Sequence, residues 1–133
     1  MDRIEIERPA WRPFLDEFSR RHHGWRVTLG VIDTEVLRRT MEAEAHLVTE
    51  DALFEGMELE VDAEGEQLAI VLGLEHALSR HALRAPRRLF VETEASGAEE
   101  GLRVDAMNGS TLLMRFRVTA PPEALNGLAD TEH

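Results

Sequence analysis

Gly24 separates two hydrophobic periods, and that change constrains the fold more than any other feature of the chain. Before it, Trp11, Phe14, Leu15 and Phe18 recur at i, i+3, i+4 and i+7, which stacks four large apolar side chains on one stripe of a helix. After it, Trp25, Val27, Leu29 and Val31 alternate with Arg26, Thr28 and Gly30, the period of a strand with one buried face. An amphipathic helix followed by such strands must lay its stripe on a sheet to remove it from water.

The helix is expected over residues 10–23. Pro9 and Pro13 fit only near its start, where the missing N–H has no intrahelical partner to lose. Gly24 suits the left-handed position just past a helix end, and the preceding Ser19-Arg20-Arg21-His22-His23 places basic groups at the negative end of the helix dipole. Two adjacent histidines therefore have a local reason to be there. His22 follows Trp11 by three helical turns and returns to the apolar stripe, while His23 points away from it.

Beyond residue 31 the alternation recurs. Residues 41–47 read as a second strand, with residues 33–39 as the connection. Residues 57–62 and 68–72 form a hairpin around Ala63-Glu64-Gly65-Glu66, and residues 88–94 a further strand. Residues 102–106 and 112–118 flank Asn108-Gly109, the dipeptide that favours a type I′ turn with positive φ at both positions. Residues 76–83 suit helix and strand alike. The expectation is an α+β fold, one N-terminal helix on a mostly antiparallel, curved sheet or small barrel of about six or seven strands. Residues 1–120 form the single domain, and 121–133, with Pro121-Pro122 and a polar end, a loosely held tail.

Charge and composition exclude several chemistries. The formal net charge of -11 opposes a phosphate backbone, and the arginines do not segregate to one face, so nucleic acid is not an expected partner. Lysine and cysteine are absent, which removes Schiff-base chemistry, a Walker lysine, thiolate nucleophiles and disulfides. The N-terminus lacks the apolar core of a signal peptide, and no run reaches the roughly 18 apolar residues that cross a bilayer. The expected location is cytoplasmic, with no membrane partner.

Trp11, Phe14-Leu15, Phe18-Ser19-Arg20, His22 and Gly24-Trp25, followed by the alternating strand, resemble a family of small bacterial proteins known only as a domain of unknown function. The likeness continues through Phe54-Glu55-Gly56 and residues 78–81, 85–89 and 108–117, and so spans most of the chain. That family carries no assigned activity, substrate or cofactor, so the resemblance implies none.

The candidate chemistry is sparse. No serine sits in a nucleophile elbow, the glycines are isolated, and zinc-protease spacing is absent. Glu42, Glu44 and His46 share one strand face at a spacing that metal ligation permits, yet such charges commonly serve only solubility, and no metal or cofactor is expected. His76 and His81 fit no ligand spacing. The acidic runs 55–66 and 92–100 read as solvated faces, and Arg80, Arg84, Arg87 and Arg88 can pair with them within a chain or across subunits. The leading expectation is a non-enzymatic module that acts by homo-oligomerisation or by binding a protein partner. The alternative is a small-molecule or hydrolytic pocket between the helix and the sheet, using His22 and Trp25, with His46 and His81 as further ligand-binding candidates.

Overall fold

A computed structural model describes residues 2–33, 46–75 and 77–117. Strand β1 (Asp2–Ile6) leads through a 3-10 turn (Arg8–Ala10) into helix α1 (Trp11–Arg21). Seven strands follow: β2 (Arg26–Asp33), β3 (His46–Asp62), β4 (Gly65–Leu74), β5 (Ala77–Arg84), β6 (Pro86–Thr93), β7 (Glu99–Ala106) and β8 (Ser110–Phe116). All pair antiparallel in one sheet of order β1-β6-β7-β8-β2-β3-β4-β5.

The sheet has eight strands, not six or seven, and it stays open with β1 and β5 as its edges instead of closing into a barrel. The additional strand is β1, and the ambiguous segment 76–83 resolves as edge strand β5. Residue 76, the connection 34–45 with most of the expected strand 41–47, and the tail 121–133 lie outside the described residues.

Period 2 explains the core. Leu68, Ile70 and Leu72 of β4, Leu102 and Val104 of β7, and Leu112, Met114 and Phe116 of β8 all face the same buried side, each strand turning alternate residues inward. Trp11, Leu15 and Phe18 of α1 complete that cluster. The Trp11 indole N–H donates to the Ile6 carbonyl (2.8 Å), fixing the start of the helix against the end of β1.

Helix α1 does more than cover a face. Beyond Phe54, whose backbone still bonds Gly24 and Trp25, β3 has no β2 partner and among the described strands is paired only with β4. The helix lies along this vacated side. Ser19 Oγ accepts the Met57 N–H (3.0 Å) and donates to the Met57 carbonyl (3.2 Å), and the Arg12 guanidinium donates to the Leu59 carbonyl (2.9 Å). Unpaired strand backbone is thereby satisfied by side chains, one of the ways a protein shields a strand edge.

Two turns differ from expectation. The helix ends at Arg21 with His22 as its cap, so Gly24 (φ 84) lies beyond the cap, and its N–H goes to the Phe54 carbonyl (2.6 Å) instead of back to the helix. At Asn108-Gly109 only Gly109 has positive φ (91). The connection has three residues, Met107 to Gly109, with Asn108 Oδ1 accepting the Ser110 N–H (2.9 Å), so an Asx contact and one left-handed glycine replace the type I′ turn.

Ala85, the single residue between β5 and β6, holds φ 51 because its N–H bonds the Glu66 carbonyl and its carbonyl accepts the Met107 N–H, both at 2.9 Å. A methyl group in that region costs about 1 kcal/mol. Ala85→Gly is therefore expected to raise stability by no more than about 0.5 kcal/mol, much of the relief being offset by the freer unfolded chain. Urea unfolding would show a higher midpoint at unchanged slope; a lower midpoint would mean that the methyl contributes packing that outweighs the strain.

Candidate functional site

The capping position of α1 places His22 inside an aromatic box. Its ring stacks on Phe116 (centroids 4.5 Å apart, 23° between planes), meets Phe18 at 4.4 Å and takes the edge of Trp25 at 5.4 Å. The imidazole is 1% exposed. Both the backbone N–H of His22 (3.1 Å) and its Nδ1 (2.9 Å) converge on the Phe18 carbonyl, so Nδ1 carries the proton and donates. Nε2 then faces Glu99 Oε1 at 3.4 Å.

Electrostatics follow from this enclosure. Burial pushes the His22 pKa down to about 4, the adjacent Arg21 charge acting in the same direction and the bond to the Phe18 carbonyl opposing it. Burial likewise raises the Glu99 carboxyl, against the pull of Arg21, whose guanidinium holds both carboxylate oxygens at 3.0 and 3.1 Å. His22 is thus neutral near pH 7, its Nδ1–H donating to the Phe18 carbonyl at the helix end while Nε2 faces the Glu99 side chain of β7.

The structure brings His22 and Trp25 together and leaves the other candidates elsewhere. His46 opens β3, its backbone paired with Val31, and its side chain lies outside the described residues, as do Glu42 and Glu44. His81 is on β5, where Nε2 meets Ser79 Oγ at 2.8 Å. Among the described residues no three histidine, aspartate or glutamate side chains converge as a metal site would need.

A groove of about 500 Å³ does lie between α1 and the sheet, bordered by Arg12, Asp16 and Ser19 on the helix, Glu58 on β3 and Arg80 on β5. None of His22, Trp25 and His81 lines it. Its charges are held internally: Arg12 by the Leu59 carbonyl, Asp16 by Arg20 (2.9 Å) and Arg80 by Glu60.

The β5 edge is differently made. The strand runs eight residues with an unbroken register against β4, no proline and no bulge, and among the described residues hydrogen-bonds no strand on its other side. Leu78 is 72% exposed, and Ala77 and Ala82 are exposed with it. The arginines here pair within the chain: Arg80 with Glu60, and Arg84 with Asp62 (3.1 Å) and Glu64 (2.6 Å). Arg88 likewise pairs with Glu5 (2.7 Å) across the β1–β6 ladder.

Sequence reasoning passed over Ser19 and Glu99. Ser19 follows Leu15 by one turn, so a polar residue sitting on the buried stripe was the available signal. Glu99 gave none, being one carboxylate in an acidic run. No helix among the described residues is long and apolar enough to cross a membrane. Comparison with family models, curated proteins and solved structures returns no match, so the functional reading rests on this geometry.

Proposed function

We propose that the chain is a small, non-enzymatic cytoplasmic module that associates with a second copy of itself through edge strand β5. The observation that carries this reading is an eight-residue edge that among the described residues has no strand on one side, with Leu78 held out in solvent. Long unprotected edges are templates for strand pairing, and proteins usually blunt them with proline, bulges or unpaired charge. Here the nearby guanidiniums of Arg80 and Arg84 are neutralised by the chain's own carboxylates Glu60, Asp62 and Glu64, so no unpaired cation blunts this edge, and the local excess is a single negative charge. A ligand pocket built on His22 has less support, because the imidazole is enclosed by rings and does not line the groove between α1 and the sheet.

The test is sedimentation velocity over a concentration series. The wild type is expected to sediment above monomer, with little response to salt since the arginines are paired internally. Leu78→Glu is expected to weaken association at least about tenfold, the equivalent of losing one buried leucine contact. Val61→Glu, altering a side chain that is 64% exposed on β3, serves as the control and should leave association intact. A wild type that remains monomeric at every concentration removes the proposal.

A further inference from the structure

The helix that shields β3 is fastened at its C-terminal end by a titratable group. Side chains of Arg12 and Ser19 occupy the backbone of β3 at Met57 and Leu59, where no β2 residue reaches. The helix is further held by Trp11, Leu15 and Phe18 in the core, by the Arg21–Glu99 ion pair and, at its C-terminal end, by the aromatic box around His22. We infer that His22 is an acid-sensitive latch: neutral, it holds α1 over the β3 edge, and protonated, it releases the helix and bares that edge.

The geometry sets the sign. The box offers a cation poor solvation: its Nδ1–H is already given to the Phe18 carbonyl, and Phe18, Phe116 and Trp25 wall the ring. Among the described residues the charged groups facing it are Arg21 on α1 and Glu99 on β7; β8 contributes Phe116, and the turn before β2 contributes Trp25. Arg21 disfavours a second positive charge, and it engages both oxygens of Glu99, the one carboxylate that could compensate. The neighbouring His23 looks away, toward Glu55 on β3 (3.1 Å).

Linkage then gives the pH window. The docked imidazole titrates near 4 and an exposed one near 6.5, so docking is favoured by neutrality above pH 6.5, and that advantage is lost as pH falls toward 4. Glu99 acts in the opposite sense, since its raised carboxyl takes up a proton more readily while docked; the large shift at His22 dominates between pH 6.5 and 5. From pH 7.5 to 5 the opening equilibrium is expected to rise roughly 30-fold.

Native-state hydrogen exchange on the full chain tests this, with rates corrected for intrinsic pH dependence. The α1 amides from Leu15 to Arg21 are expected to be less protected than those of β6 and β7 at both pH values, and to lose roughly 30-fold in protection between pH 7.5 and 5. His22→Phe should abolish the α1 loss and Glu99→Gln should keep it. Equal protection of α1 and the central strands would mean that the helix leaves only on global unfolding, and the latch would be refuted. It would also be refuted if Glu99→Gln, not His22→Phe, removed the pH effect. Should His22→Phe fail to fold, NMR titration of the His22 ring in the wild type decides: no protonation of the docked ring above pH 5 is expected, and titration near 6.5 overturns the idea.

Discussion

Gly101→Ala is expected to destabilise the chain by about 3–5 kcal/mol, the upper end of what a single substitution does. Gly101 sits in β7 opposite Arg115 of β8 and beside Glu92 of β6, where the β6–β7 register shifts between Glu92 and Thr93. A Cβ added there would overlap the Met114 carbonyl oxygen, with the Met114 carbonyl carbon at 2.9 Å and the Arg115 Cα at 3.0 Å. Every obstructing atom belongs to a neighbouring strand's backbone, so no rotamer change relieves the clash. Relief requires β7 and β8 to separate, which breaks ladder hydrogen bonds and shifts Leu102 and Met114, both 0% exposed.

Gly73 supplies the contrast. It also lies within the sheet, on β4, but the one tight contact of an added Cβ would be with the end of the Glu55 side chain at 3.2 Å, Leu53 standing at ordinary contact distance. Gly73→Ala is therefore expected within about 0.5 kcal/mol of wild type. Urea midpoints at constant slope measure both. Equal midpoints for the two variants would show that β7 and β8 can separate freely at Gly101, against the close approach described.

How much of this was legible follows from what each residue contacts. The strands β2, β4, β7 and β8 could be read because one face of each is buried, and the alternation of Leu102, Val104 and Ala106 records that directly. His22 could be placed on the helix stripe by rotation alone. Edge strands are different: β1 carries Ile4 at 54% exposure, and in β5 only Leu83 is buried. A strand with one neighbour and little covered surface leaves a weak pattern. The docking of α1 beside β3 was illegible for another reason. Ser19 finds Met57 and Arg21 finds Glu99 across long stretches of chain, and period within a segment carries no information about which distant backbone that segment will meet.

Phe18→Ala is expected to cost about 3–5 kcal/mol by removing a fully buried ring. Phe18 is 0% exposed and joins the helix to the sheet, meeting Phe54 edge-on at 5.9 Å, stacking with Phe116 at 5.7 Å and lying against His22 at 4.4 Å. Its carbonyl, retained in the variant, still accepts Nδ1 of His22, so the hydrogen bond survives while one wall of the box is lost. Two effects should therefore appear together. Stability falls by the transfer and cavity terms, and the His22 pKa rises from about 4 toward 6.5 as water reaches the ring. Phe18→Leu, which leaves most of the volume filled, should lose roughly 1–1.5 kcal/mol and move the histidine less. Urea unfolding with NMR titration of His22 measures both quantities on each variant. A loss of stability with no change at the histidine would show that the Phe18 ring does not keep water from it; the enclosure would then be the work of Phe116 and Trp25 on the sheet, and the helix would hold His22 through its backbone alone.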